Sequence, residues 1–584
     1  MHRRVWFLAA AVAAVLGLTG SAAAMTSSSS SARAQQMSAF AKTWANTPRT
    51  PAARAAKKTM VFGMEQDVTG FNLANADQTA YWAALTGETP VIRGAYTIDN
   101  KGKYHLDMAS KVVVNKKFLR ITIKKNATWY WVGHKSKPVT AADFIYTWKL
   151  FMDPKNNVAS TTGYSNIARA KGHGRTVTFY WKKSTGPFAD YKDIFGYIYP
   201  KAAIGGQSFN TFWLNCVCGK DGKPVSDGPF YLANYQRGQG LTLKKNPHWY
   251  GKPAKLNSIV FKLITDTNSE IQAMRGGEVD AISPSPQTAL APLIHQSGLK
   301  YSSIGGFTQE HWDLGQGPQS APLLKKAYMR QAIMLGMNRS SLIHALYSQI
   351  APNLKALNNP YYEIGPNASG KYAYFKKFNF APKKAIALLK KKGCTGGPSS
   401  PSNSNSKVWT CGGQKAEFRF GTTAGNQRRA TSAAIFQQQL MAIGIKINPS
   451  FYPANPNFFG QILPSANFDI GEYAWLGGPD PSGFDAIYQC YDATKNLGGQ
   501  NYKRYCNHKV DKLIKKGETE LNSKKRTAIY QAASKIIANQ VAIIPLYSTP
   551  QILVYKSKLK GMDAANNPTQ LGPTWNVELW HWGS

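Results

Sequence analysis

The 25 residues from Asp227 to Gly251, DGPFYLANYQRGQGLTLKKNPHWYG, restrict the fold more than any other stretch. Gly228 and Pro229 punctuate the chain, and Phe230 and Leu232 alternate with polar or small neighbours. Arg237-Gly238-Gln239-Gly240 then turns it, and Leu241 and Leu243 restore the alternation. This pattern predicts a strand, a Gly-rich hairpin and a second strand, with no catalytic side chain among them.

Other segments add helices to strands. Lys58 to Glu65 and Leu119 to Lys124 alternate as strands. Thr140 to Met152 starts with Thr140 as N-cap and Asp143 at the third helical position, a capping-box variant, and sets Phe144, Trp148 and Phe151 on one face. That face reads as core packing. Ile259 to Ile264 and Thr267 to Met274 form a strand and a helix, and Gly277-Glu278-Val279-Asp280-Ala281 leads into another strand. Glu278 and Asp280 flank a single residue of that strand and read as parts of a structural turn, not as an acid–base pair. Helical periodicity returns over 325–337, 381–392, 430–442 and 524–539, with Gly393 and Gly444 as stops after two of them. Phe468 to Trp475 reads as a strand ending at Gly477-Gly478. The alternation of strands and helices predicts an α/β protein, and 584 residues divide into more than one lobe.

Seventy-one basic against 30 acidic residues give a formal charge of +41, far beyond what solubility needs. Nucleic-acid binding is disfavoured because the lysines are scattered, with no basic arm and no zinc-finger spacing. Diffuse charge suits a surface near anionic lipid headgroups or acidic wall polymers, or a lineage living in acid; the residues leave these open. Arg3 and Arg4, the apolar run from Val5 to Leu18 and the small residues Ala22 to Ala24 have the three-part organisation of a signal peptide over 1–24, cleaved after Ala24 or after Ala34. A flexible leader is expected over 25–57. No later stretch is apolar and long enough to span a bilayer.

Cysteines 216, 218, 394, 411, 490 and 506 form an even set, as disulfides require, with fifteen formal pairings. Proximity favours Cys394 with Cys411, closing a Pro/Ser/Asn-rich loop, a closure worth about 3 kcal/mol. Cys216 and Cys218 either bond to each other or remain thiols. No C-x-x-C pair or matching histidine spacing supports a metal.

The hairpin stretch resembles the G-P-[YF]-x-[LV] … N-P-x-[YW]-[WYF]-G signature of the family 5 extracellular solute-binding proteins, the dipeptide- and oligopeptide-binding components of ATP-binding-cassette importers. Further segments agree in the same order: Phe71-Asn72, Trp129 followed by Pro138-Val139-Thr140-Ala141-Ala142-Asp143-Phe144, Gly277-Glu278-Val279-Asp280, Arg330-Gln331-Ala332-Ile333 and Asp480-Pro481. The resemblance covers roughly Thr59 to Trp582. It implies a two-lobed periplasmic-binding-protein fold of type II, cluster C, closing by a hinge over a cleft. The first lobe would span 58–305, with an extra subdomain inserted at about 100–200, and resume over 546–584; the second would span 306–545. Relatives also carry a local disulfide where Cys490 and Cys506 stand. Leu18-Thr19-Gly20-Ser21 looks like a lipoprotein signal with serine in place of the acylated cysteine, so the expected protein is exported, periplasmic or on the envelope exterior, soluble and without a lipid anchor.

Relatives hold an extended ligand by main-chain hydrogen bonds, with side chains in roomy pockets. Carried onto this chain, the expected ligand-facing residues are Glu65, Phe71, Asn72, Asp77 and Gln78 in the first lobe, and Thr422, Thr423, Trp475, Leu476, Gly477, Gly478 and Asp480 in the second. The resemblance breaks at the charges that read peptide ends. Gly478 stands three residues after the tryptophan, where dipeptide binders carry the amine-binding aspartate, and Thr423 stands at or beside the carboxylate-binding arginine. Arg428 and Arg429 are the candidate substitutes for that arginine, and Asp77 for the aspartate, set against a solvated loop carboxylate. The implied function is capture of an oligopeptide or related small solute by a monomer, without cofactor, for delivery to membrane permease subunits. The alternatives are a binder of a nickel chelate, haem, sugar or opine, or an exported enzyme. No H-E-x-x-H, G-x-S-x-G or P-loop motif supports the enzyme.

Overall fold

A computed structural model describes residues 41–360, 371–479, 481, 483–494 and 497–583. The signal peptide over 1–24, the leader up to residue 40 and Asp480 lie outside the described residues. Among those described, no helix is long and apolar enough to cross a membrane. The chain divides into two compact units: a first unit that runs up to Ile304 and resumes at Gln551, and a second from Gly305 to Pro550. The chain passes between them inside two long strands, Leu299–Leu314 and Ile543–Lys556.

In the first unit, strand Thr59–Met64 lies parallel to Ser258–Leu263, with Phe62 opposite Phe261. The hairpin predicted from Asp227 to Gly251 forms as Phe230–Gln236 and Gly240–Lys245, antiparallel, with a bulge between Leu232 and Asn234. Gly238 turns it at a φ of 77°, which only glycine adopts without strain. Gly228 sits so close to the chain at Pro90 that a Cβ would lie 2.4 Å from its carbonyl oxygen, which explains the glycine of the signature. Phe62 anchors the core, stacking on Trp580 at 6.0 Å and meeting Trp82 and Phe261. Each such ring removes enough apolar surface from water to contribute about 2–3 kcal/mol.

A separate antiparallel sheet occupies the region expected to hold an inserted subdomain: Ala109–Val114, Phe118–Ile123, Thr176–Trp181 and Ile167–His173, in that spatial order. Helix Ala141–Met152 covers one face of it. Its capping box forms as the sequence predicts, and Phe144 packs on Phe195 at 5.4 Å, which in turn stacks on Phe179 at 4.6 Å.

The second unit centres on Leu299–Leu314, Ile470–Leu476, Glu417–Thr423 and Lys446–Tyr452. The first pair is antiparallel, with His311 opposite Tyr473; the others are parallel. The predicted helices form as Ala327–Gly336, Pro382–Lys391, Gln427–Ala442 and Ser523–Asn539, the third starting earlier than its periodicity indicates because Asn426 caps it. The sulfurs of Cys394 and Cys411 lie 2.03 Å apart and those of Cys490 and Cys506 2.04 Å; Cys216 and Cys218 also meet.

Residues 41–57 depart from the expected flexible leader. Thr50 caps a short helix, Pro51–Ala56, which delivers Arg54 into the first unit with 1% of its surface exposed. Its guanidinium meets Asp280 Oδ1 at 2.6 Å and donates to the Gly277 carbonyl at 2.7 Å, while Asp280 Oδ2 accepts from the Val61 amide. Asp280 is thus the anchor that ties the start of the described chain to its opening strand. Glu278 pairs with Lys262 at the surface. Because both partners of the Arg54–Asp280 pair are buried, Asp280→Asn should cost about 3–5 kcal/mol, and Arg54→Met combined with Asp280→Asn should recover part of it. Denaturant unfolding of the first unit checks this, and a single-mutant cost below about 1 kcal/mol contradicts it.

Candidate functional site

The first-unit residues expected at the ligand fall into two groups. Phe71, Asn72 and Gln78 come together in one knot. The Asn72 amide donates to Gln78 Oε1 at 3.2 Å, Asn72 Nδ2 donates to the Phe209 carbonyl, and Asn72 Oδ1 accepts from the Tyr199 hydroxyl. Gln78 Nε2 donates to the Phe212 carbonyl at 3.3 Å, and Phe71 meets the edge of Tyr235. Asn72 and Gln78 are buried, so their polar atoms hold the loop. Asp77 beside them is exposed and accepts from Asn157 Nδ2 at 2.9 Å. Glu65 stands apart. Its two carboxylate oxygens accept from the Thr267 hydroxyl at 2.6 Å and from the Ser285 amide and hydroxyl at 2.9 Å.

In the second unit the expected residues lie at neighbouring strand ends. The Thr422 hydroxyl donates to the Glu472 carbonyl at 2.9 Å and Thr423 Oγ1 accepts from Arg429, also at 2.9 Å. Trp475, opposite Gln309, is 9% exposed and lies between two rings, His311 at 5.7 Å and Tyr502 at 5.8 Å, both nearly parallel to it. Its indole N–H is buried without a hydrogen-bond partner among the described residues. Leu476 ends the strand opposite Thr308, and the Gly477 amide donates to the Phe307 carbonyl at 3.0 Å. Gly478 follows, partly exposed.

Beneath this edge runs a network of buried charges that the sequence reading missed. Along the strand Leu299–Leu314, Glu310 and Trp312 point to one face of the sheet and Gln309, His311 and Asp313 to the other. On the first face the Arg429 guanidinium, brought in by the first turn of helix Gln427–Ala442, meets Glu310 at 2.6 Å. Glu472 shares this pocket, accepting from Trp312 Nε1 and the Ser432 hydroxyl at 2.9 Å each. Burial, and then the Glu310 charge, push the Glu472 carboxyl up to about 8 against the pull of Arg429. At neutral pH one cation therefore faces one anion and one neutral acid. On the other face Lys503 lies 3.3 Å from Asp313, both fully buried, and the Tyr473 hydroxyl donates to Asp313 at 2.5 Å. Burial pulls the neighbouring His311 imidazole down to about 4, so it is neutral at pH 7.

The network separates the two candidate arginines. Arg429 is consumed by Glu310 and Thr423. Arg428, one residue earlier on the helix, is half-buried and makes no direct ion pair among the described residues, feeling the Glu310 charge only at a distance; its guanidinium donates a long hydrogen bond, 3.4 Å, to the Tyr347 hydroxyl. Ionisable residues alternating with Trp312 inside a strand were the available signal, since such a run is costly in a core unless its charges are paired. Cys490, Cys506 and His508 are close enough to suggest a metal, but the two sulfurs are bonded to each other and His508 Nδ1 sits 3.1 Å from Asp511.

The raised Glu472 has a measurable consequence. The folded form keeps a proton that the unfolded chain loses near its ordinary value of 4.5, so this contribution to stability is full below about pH 4.5 and is lost as pH rises toward 8. Glu472→Gln keeps the acceptor for Trp312 and Ser432 and removes that loss. Denaturation midpoints at pH 5 and pH 8 should therefore differ less in the variant than in the parent, with the variant the more stable at pH 8 by on the order of 2 kcal/mol. An unchanged difference between the two pH values contradicts the assignment.

Comparison with known proteins identifies the family and the fold. The family model of bacterial extracellular solute-binding proteins, family 5 middle, matches residues 103–496. The oligopeptide-binding protein OppA of Bacillus subtilis is 23% identical over 496 residues, 80% of this chain and 84% of that protein. Among solved structures, the periplasmic EDTA-binding protein EppA superposes with a TM-score of 0.74 at 21% identity, over 90% of this chain and 96% of its own. NikZ of Campylobacter jejuni, in complex with Ni(L-His), gives 0.69 at 19% identity, over 90% and 99%. These structures share the fold, and the family match spans more than half the sequence. The chain belongs to the family 5 bacterial extracellular solute-binding proteins.

Proposed function

We propose that the protein is the solute-capturing component of an ATP-binding-cassette importer, that it takes up an oligopeptide or a related carboxylate-bearing solute outside the membrane, and that it hands the solute unaltered to permease subunits. The observation that carries the choice of ligand class is Arg428. A guanidinium is a strong, bidentate partner for a carboxylate, and this one is held at a helix start while the nearby buried carboxylate, Glu310, is already paired with its neighbour Arg429. The oligopeptide relative favours a peptide, whose C-terminus supplies the anion. EDTA and a nickel–histidine complex, named for two proteins of the same fold, bear carboxylates as well, and they support a chelate as the second reading. Gly478, standing where the resemblance places an amine-reading aspartate, favours a ligand without a free amine at that point. The commitment of Asn72 and Gln78 to internal hydrogen bonds leaves Asp77 as the exposed acidic group of the first-unit set.

Two measurements test this. Native mass spectrometry of protein purified from its own host, followed by unfolding, should release intact small solutes; a ladder of peptides supports the first reading, one metal-bearing mass the second, and cleaved products would show an enzyme. Arg428→Gln should weaken binding of a ligand with a free carboxylate about 10- to 100-fold in calorimetric titration and leave its amidated counterpart unchanged. Equal losses for both forms would remove Arg428 from the site.

A further inference from the structure

The four-stranded sheet of the first unit turns one face to helix Ala141–Met152 and the other to solvent. The register fixes what the open face displays. Arg120 lies opposite Thr178 and Val113, Lys111 opposite Thr122, and Arg169, Lys171 and His173 opposite Tyr180, Thr178 and Thr176. With side chains alternating along each strand, Lys111, Arg120, Arg169, Lys171 and His173 share this face, and all five are exposed. The turn at 115–117 adds Lys116 and Lys117 at its edge. Residues 109–125 and 167–183 together hold eleven lysines and arginines and no aspartate or glutamate. Among the described residues, none of the four lysines and arginines on the face is ion-paired.

Two features indicate the partner. The cations are spread in two dimensions, over strands about 4.8 Å apart with roughly 6.7 Å between successive same-face residues, and are not lined up along a groove. The aromatic rings between them are already covered: the Arg120 guanidinium lies 4.8 Å from the Phe118 ring and that of Arg169 3.8 Å from Tyr180. A single-stranded nucleic acid would need those ring faces for its bases. A planar array of anions needs only the cations, and stacking holds two of them flat on the sheet. We propose that this face docks the protein on an anionic lipid bilayer, reading headgroup phosphates with Lys111, Arg120, Arg169 and Lys171. The docking is independent of what the protein carries, and it would hold the protein near the membrane in which a permease sits.

Sedimentation of the full chain with vesicles tests it. The protein should partition onto phosphatidylcholine vesicles containing phosphatidylglycerol, remain free of phosphatidylcholine alone, and be released by high salt. Combined Lys111→Gln, Arg120→Gln, Arg169→Gln and Lys171→Gln should lower partitioning at least about 50-fold. The same change of charge made on the exposed face of helix Pro382–Lys391, as Lys383→Gln, Lys384→Gln, Lys390→Gln and Lys391→Gln, should lower it by no more than about threefold. Equal losses in the two variants would show a response to net charge only and overturn the proposal. Hydrogen exchange on the unaltered protein gives a check without mutation: vesicles should protect Ala109–Val114, Phe118–Ile123 and Ile167–His173, and protection confined to other segments overturns it. If polyphosphate or a single-stranded oligonucleotide binds this face at a salt concentration that releases the vesicles, the partner is a soluble polymer and the membrane assignment fails.

Discussion

The contact between Arg429 and Glu310 is the constraint around which the second unit is arranged. A buried guanidinium needs its charge and its donors met, and here the Glu310 carboxylate and the Thr423 hydroxyl meet them. Glu310 comes from a central strand, Thr423 from the end of a second and Arg429 from the helix that follows it, so one interaction sets the height and rotation of three elements. Glu472, on the strand between, joins as a protonated acid. Had it stayed charged, two anions would face one cation in a medium of low dielectric. The same arrangement leaves Arg428, the adjacent residue, outside the pair.

Inward pairing recurs through the molecule. Asp280 holds Arg54, Asp107 and Glu578 flank Arg93, and Asp313 holds Lys503. With only 30 acidic residues against 71 basic ones, carboxylates spent on such pairs are not available to offset lysines on the surface. This gives the formal charge of +41 a physical location. The excess is concentrated wherever a segment has no acid of its own, and the sheet formed by 109–123 and 167–181 is such a place.

Local codes were legible in the sequence and long-range commitments were not. The capping box at Thr140 and Asp143, the hairpin closed by Gly238 and the helices over 382–391 and 523–539 each depend on residues within a few positions of one another, and each forms near its expected bounds. The family resemblance carried the fold because it joined such codes in order along the chain. Side-chain roles were harder. Nothing near Arg54 in sequence announces a partner more than two hundred residues away, so a segment expected to be a leader packs as part of the first unit. Arg428 and Arg429 are identical as letters, and only the position of Glu310 tells them apart. Asn72 and Gln78 are polar residues in a loop, a pattern that suits a ligand and suits an internal hydrogen-bond knot equally well.

Thermal unfolding of Arg428→Gln and Arg429→Gln, measured side by side without ligand, tests the division of labour between these two residues most directly. Loss of Arg429 leaves Glu310 buried and unpaired, a cost of about 3–5 kcal/mol that should lower the transition of the second unit by about 10 °C. Loss of Arg428 should move it by no more than about 2 °C, because it surrenders one long hydrogen bond to Tyr347 and a distant attraction to Glu310, which Arg429 still pairs. Equal shifts, or the larger shift for Arg428, would mean that the structural and the ligand-facing cation have been assigned the wrong way round.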